Sequence, residues 1–273
     1  MPRRLGQHFL RASSVEELLR LIAPNSADHF VEIGAGAGAL TLPLARHAGH
    51  VTAIEVDAGL VERLRPTLPP NVDLIHADAL RVDLESVIQR RTRLVGNLPY
   101  AISSPLLRRF LEFRNSFVDA HLMLQQEVAA RVAAPPGSRA YGVLSVFYAL
   151  WAAVDVPLHF PAEAFSPPPK VGSAVLRCRF LNQPRAKVSD PAAFEQLVKR
   201  AFARRRKTLE NNLRDSYPNL KYYLRLVDIL GSTRAETLSV EDFARLSEAL
   251  GEDQPGGRGD GGEVARDSGT RDS

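Results

Sequence analysis

Apolar and polar positions alternate between two periods along the first two thirds of the chain. Short β-rich runs, His29 to Ile33, Val51 to Val56, Val72 to Ala77, Arg93 to Gly96 and His121 to Leu124, are separated by segments with helical spacing. Those segments cover Leu40 to His47, Leu60 to Arg65, Leu106 to Leu111 and Gly142 to Ala153. Ser13-Ser14-Val15-Glu16 has capping-box spacing and predicts a helix through Ile22, and Asp57 is a candidate N-cap. Pro43 must sit near the first turn of its helix. Strictly alternating strands and helices predict a doubly wound, mostly parallel α/β sheet. Val154 to Phe160 and Ser173 to Phe180 add two runs suited to an antiparallel edge.

After residue 181 the strand pattern stops. Phe194 to Leu213, Tyr222 to Leu230 and Val240 to Leu250 all carry helical periodicity, which predicts a small all-helical domain over 182–250 behind an α/β domain over 1–181. From Gly251 to Ser273, seven of 23 residues are glycine and none is aromatic, so 251–273 is expected to be a disordered tail.

Composition narrows the class. A chain of 273 residues with 45% hydrophobic and 24% charged content is that of a globular protein. The single cysteine, Cys178, excludes an internal disulfide framework, and the seven scattered histidines offer no ligand cluster, so no metal is expected. Neither a signal core nor a membrane-length apolar run is present, so a cytoplasmic protein is expected. Net charge is +4, yet Asn182 to Ser216 alone holds nine Lys or Arg against four Asp or Glu. That local excess favours a polyanionic partner, although a basic helix is more often just a solvated face.

The candidate chemistry lies at strand ends, where open α/β sheets bind their ligands. Glu32-Ile33-Gly34-Ala35-Gly36-Ala37-Gly38 removes side chains where a ligand must approach backbone. Glu55 follows about 20 residues beyond the glycines, the interval at which a carboxylate grips ribose hydroxyls. Asp78 is placed to accept a hydrogen bond from an adenine amine. Spacing of the G-x-G-x-G kind lacks the pyrophosphate fingerprint, which argues against a dinucleotide and for an adenosine ligand without phosphates. Asn97-Leu98-Pro99-Tyr100 closes the set. The Asn97 amide oxygen and the Leu98 carbonyl can accept from one amine, Pro99 fixes the turn, and Tyr100 can stack on a base.

These residues resemble the ribosomal RNA adenine dimethyltransferases. The likeness runs from Gly6 to about Leu250 through Gly6-Gln7-His8-Phe9-Leu10, Val31 to Gly36, Ile54 to Asp57, Asp78-Ala79-Leu80, Asn97 to Tyr100 and Leu124 to Val128. It continues in F-x-P-x-P-x-V-x-S at Phe165, Pro167, Pro169, Val171 and Ser173. The resemblance implies a Rossmann-like class I methyltransferase fold with S-adenosyl-L-methionine as cofactor and no metal. It implies cofactor contacts from the backbone around His8 and Leu10, from Gly34 and Gly36, and from Glu55, Asp78 and Asn97. Asn97, Leu98, Pro99 and Tyr100 take the catalytic role, with Tyr100 and Phe165 stacking on the base, although Phe165 reads equally well as a core aromatic. Arg204, Arg205, Arg206 and Lys207, spanning one helical turn, are expected to reach RNA phosphates.

Phe202 to Leu213 and Asn97 to Ser103 look like the branch that dimethylates two adjacent adenosines near the 3′ end of 16S rRNA in the immature small subunit. A monomer is expected by default, since such an enzyme must dock on a large particle. A large-subunit, macrolide-resistance methylase and a non-catalytic ribosome-assembly factor stand as alternatives. His8 departs from the Asn found in many members. A nicotinamide dehydrogenase is remote, for want of fingerprint spacing and a proton-relay residue.

Overall fold

The computed structural model describes residues 8–88 and 91–251; the expected tail beyond Gly251 lies outside them. Strands β1 (Phe9–Leu10), β2 (His29–Ile33), β3 (His50–Glu55), β4 (Val72–His76) and β5 (Thr92–Asn97) are interleaved with helices α1 (Ala12–Ile22), α2 (Thr41–Ala45), α3 (Ala58–Leu64) and α4 (Leu84–Val87). There follow α5 (Ser103–Glu112), β6 (Phe117–Gln125), α6 (Gln126–Val132), α7 (Val143–Trp151), β7 (Ala152–Phe160), β8 (Phe165–Ser166) and β9 (Ser173–Phe180). Four helices end the described chain: α8 (Pro191–Ala201), α9 (Leu209–Leu213), α10 (Leu220–Leu226) and α11 (Val240–Gly251).

Seven strands form one sheet in the order β4-β3-β2-β5-β6-β9-β7. β2 to β6 are parallel, while β9 runs antiparallel to both β6 and β7. The predicted parallel sheet and antiparallel edge are therefore both present. The chain leaves β2 towards β3 and β4, then returns to β2's other side as β5. This reversal opens a crevice at the carboxyl ends of β2 and β5.

Alternation along β2 sends its side chains to two cores. Phe30 joins Val15, Leu18, Ile22 and Leu44 on one face. Val31 and Ile33 join Leu106, Phe110 and Leu122 on the other. The second core continues without a break through α7 into Phe194, Leu197, Leu209 and Phe243 of the C-terminal helices. No helix among the described residues is long and apolar enough to cross a membrane.

Three local expectations are corrected. The first helix starts at Ala12 after Arg11, and no side chain caps it. Its start is set instead by a two-stranded ribbon of β1 against β8, with Leu10 opposite Phe165, after which the Arg11 amide donates to Ala164 O at 2.9 Å. Secondly, the run from Phe194 to Leu213 is not one helix. α8 stops at Ala201 and α9 restarts only after Thr208, whose hydroxyl accepts from the Asn211 amide at 3.3 Å. Arg204 to Lys207 thus occupy the intervening turn and do not form a helical turn. Thirdly, Phe165 has no accessible surface. It packs in the same core as Leu10 and Phe160, so contact between its ring and a base requires the ribbon to lift. Asp57 does cap α3, accepting from the Leu60 amide at 3.0 Å.

Candidate functional site

A cavity of about 290 Å³ fills the crevice at the switch point, and residues from every motif at the strand ends line it. Its floor is the glycine turn after β2. Gly34 and Gly36 adopt φ of +80° and +58°, which L side chains rarely take. A Cβ on Gly36 would also lie 3.1 Å from the Phe9 ring, and one on Gly34 3.4 Å from Asn97 O. The turn is bare because the ribbon and the β5 loop both close against it.

Glu55 ends β3 with its carboxylate almost fully buried. Oε2 accepts from the Gly36 amide at 2.8 Å, and Oε1 accepts from the amides of Val56 and Asp57, each at 2.9 Å. Three backbone donors fix the carboxylate beside the glycine turn, and its remaining lone pairs can accept from ligand hydroxyls. Asp78 follows β4. Its Oδ1 accepts from the Leu80 amide at 2.9 Å, while Oδ2 lies 3.7 Å from Arg81 Nε in an exposed pair.

Asn97 is the last residue of β5. Its Nδ2 donates to the His8 carbonyl at 2.8 Å. An amide nitrogen cannot accept, so this bond fixes the flip and leaves Oδ1 as the accepting atom. The following loop is pinned by the Leu98 amide on Met123 O at 3.0 Å. Tyr100 shares a 2.7 Å hydrogen bond with the buried Ser173 hydroxyl at the start of β9. The His8 ring stacks on Tyr100 with centroids 5.8 Å apart and planes 26° apart. Its Nδ1 lies 2.7 Å from Pro167 O. His8 therefore uses its carbonyl on Asn97 and its ring on Tyr100 and the proline segment. Ser173 and Pro167, which the F-x-P-x-P-x-V-x-S pattern brought forward without a role, hold Tyr100 and His8.

Glu32 is the lining residue to which sequence reading gave no function. It is 2% exposed on β2, and its Oε2 has no hydrogen-bond partner among the described residues. Burial raises its pKa to about 8; Thr41, nearby but outside hydrogen-bond geometry, offsets part of that rise, and the charge of Glu55 adds to it. The available signal was an acidic residue in the middle of a buried strand, where a carboxylate needs a partner. An unpartnered carboxyl oxygen in the cavity suits a ligand that carries positive charge. Together with the open glycine turn and the Glu55 and Asp78 carboxylates, it forms a set of acceptors that fits S-adenosylmethionine, a cation with ribose hydroxyls and an adenine amine.

The basic segment lies away from this cavity and its four cations differ in role. Arg205 donates through Nη2 to Arg139 O and pairs with Glu236 at 3.3 Å, joining the 135–141 loop to the C-terminal helices. Arg204 donates to Asn211 O at 3.1 Å. Asn212 braces the turn from inside, donating to Ala201 O at 2.7 Å and Arg204 O at 3.2 Å. Arg206 and Lys207 are exposed.

Ribosomal RNA small subunit methyltransferase A of Bordetella petrii is 46% identical over 250 residues, spanning 91% of this chain and 94% of that protein. The protein of that name from Xylella fastidiosa is 42% identical over 250 residues, spanning 89% and 94%. Among solved structures, a dimethyladenosine transferase from Plasmodium falciparum superposes with a TM-score of 0.74 at 23% identity, over 90% of this chain and 98% of that one. The 23S rRNA methyltransferase ErmE superposes with a TM-score of 0.69 at 25% identity, over 89% and 99%. The model of the family described as ribosomal RNA adenine dimethylase matches residues 2–252, and the chain belongs to that family.

Proposed function

We propose that the protein dimethylates the exocyclic amines of two adjacent adenosines in a hairpin loop near the 3′ end of 16S rRNA, using S-adenosylmethionine, during maturation of the small subunit. The observation that carries this reading is the locked Asn97 amide, whose Nδ2 is committed to His8 O at 2.8 Å. An adenine amine is a poor nucleophile because its lone pair is delocalised into the ring. Oδ1 of Asn97 and the carbonyl of Leu98 accept from that amine, draw it towards tetrahedral geometry and stabilise the positive charge that develops on it. The cofactor, when bound, supplies an electrophilic methyl carbon.

Glu55 binds the ribose, Asp78 the adenine amine, Gly34 and Gly36 admit the amino-acid part, and the backbone at His8 and Leu10 covers it. Pro99 keeps the acceptors convergent, and positioning supplies much of the acceleration. Tyr100, held by Ser173 and His8, stacks on the extruded base. The methylated ammonium is acidic and releases its proton to water, so neither a strong base nor a metal is required.

We read 182–250 as the RNA-binding lobe, with Arg206 and Lys207 on phosphates and Arg204 and Arg205 shaping the turn. The protein acts as a cytoplasmic monomer on the immature particle. The small-subunit assignment is favoured because relatives at 46% and 42% identity carry that name, against 25% for ErmE. The test is incubation of the purified protein and labelled methyl donor with unmethylated small subunits or with large-subunit RNA, then mapping of modified nucleosides. Dimethyladenosine at two adjacent small-subunit positions is expected. Label confined to large-subunit RNA, or none, overturns the reading.

A further inference from the structure

We propose that Arg109 is a positioning residue for the adenine end of the cavity, holding the Asp78 turn against the helix that follows the Asn97–Tyr100 loop. The proposal rests on the reading of Asp78 as the adenine contact. Two observations carry it.

The first is how the Asp78 turn is built. Asp78 gathers the amides of its own turn: Oδ1 takes Leu80 N at 2.9 Å, and its carbonyl takes Arg81 N and Val82 N, each at 2.8 Å. These bonds fold the turn on itself but leave the carbonyls of Leu80 and Val82 pointing outwards. Arg109 fills that need from α5. Its Nη1 donates to Leu80 O at 2.7 Å and its Nη2 donates to Val82 O. The planar guanidinium thus spans two carbonyls of one turn, which a lysine ammonium cannot match. Its Cζ lies 5.4 Å from the Phe113 ring centroid, and among the described residues no carboxylate lies within ion-pair distance of it. The charge is therefore committed to backbone geometry.

The second is where Arg109 comes from. α5 begins at Ser103, directly after the turn Tyr100–Ile102. Asp78, Ala79 and Leu80 line the cavity on one side, Tyr100 and Ile102 on the other. A side chain from α5 bonded to Leu80 therefore links the two walls. Its neighbour Arg108 instead pairs with Glu195 of α8. Loosening the Asp78 turn lets its carboxylate drift from the place an adenine amine occupies, and a hydrogen bond to a charged group loses worth steeply with geometry.

The experiment compares S-adenosylhomocysteine with S-inosylhomocysteine, in which the 6-amine is replaced by a carbonyl, by calorimetry on the full chain. Wild type should prefer the adenine ligand, and Asp78→Ala should abolish that preference. Arg109→Met should shrink it about tenfold, the worth of one hydrogen bond to a charged group. Arg109→Lys, keeping the charge on a single nitrogen that cannot span both carbonyls, should fall between, and it carries the test if the Met variant does not fold. In turnover, KM for the methyl donor should rise with kcat within about twofold, as expected when binding geometry alone is lost. An unchanged preference, or equal weakening of both ligands, in the Arg109 variants overturns the proposal while leaving Asp78 in place. A preference that survives Asp78→Ala overturns the reading beneath it.

Discussion

Asn97 Nδ2 donates to the carbonyl of His8 across a sequence distance of 89 residues, at 2.8 Å. The bond joins the end of β5 to the segment just before β1, and it leaves Oδ1 as the accepting atom of the amide. Asn97→Ala removes the acceptor and the tether together. Methylation should fall by about 10²–10³-fold, the usual cost of one preorganised transition-state contact. S-adenosylmethionine affinity should weaken only a few-fold, because Glu55, Asp78 and the glycine turn remain. Single-turnover methylation beside calorimetry separates the two, and near-wild-type turnover would remove Asn97 from the mechanism.

The His8 ring is placed by Tyr100 and Pro167, while its carbonyl serves Asn97. His8→Ala keeps the carbonyl and loses the ring. The apparent KM for the RNA particle should rise, because Tyr100 loses its stacked neighbour, whereas affinity for the methyl donor should stay near wild type. Ser173→Ala should act in the same direction and cost about 1 kcal/mol of stability for the lost hydroxyl partner of Tyr100. Filter binding and chemical denaturation check these outcomes.

Much of this site could be read in the sequence because parallel α/β topology delivers strand ends to one edge. Glu55 and Asn97 are the last residues of β3 and β5, Asp78 follows the end of β4 by two residues, and a shared edge makes them neighbours. The β1–β8 ribbon could not be read that way. Two-residue strands carry no periodicity, and Leu10 pairs with Phe165 through backbone that any sequence supplies. Arg204 to Lys207 were misplaced for the opposite reason. Apolar spacing resumes in phase at Leu209 and Leu213, so the pattern hides a break that Thr208 caps and Asn212 braces. Arg109 was invisible because a cation on an amphipathic helix ordinarily faces water; only the path of the Asp78 turn shows otherwise.

The basic turn divides into structural and free cations, and the division is measurable. Arg206→Gln with Lys207→Gln should leave thermal stability unchanged, weaken binding to small subunits and flatten the salt dependence by roughly the slope of two phosphate contacts. Arg205→Gln should lower stability, because Arg139 O and Glu236 lose their shared partner. If the double variant binds as tightly as wild type at every salt concentration, the RNA surface lies elsewhere.

Glu32 gives the pH prediction. Burial is the main cause that raises its carboxyl from 4.5 to about 8, so near neutrality the folded protein holds a proton that the unfolded chain has released. Where the folded state binds more protons, stability falls as pH rises. The contribution of Glu32 is fully present below about pH 4.5, declines from there, and is gone once pH exceeds about 8. Glu32→Gln cannot ionise, so the fall in melting temperature between pH 5 and 9 should be shallower for the variant. A cationic ligand in the cavity favours the ionised form and should reverse part of this. Binding of S-adenosylmethionine to wild type at pH 7 should therefore release a proton, seen by calorimetry in buffers of different ionisation enthalpy. The variant should release none. Parallel melting curves for the two proteins across that range would show that Glu32 is already ionised in the fold, and the partner of its orphaned oxygen would then have to be sought within the protein.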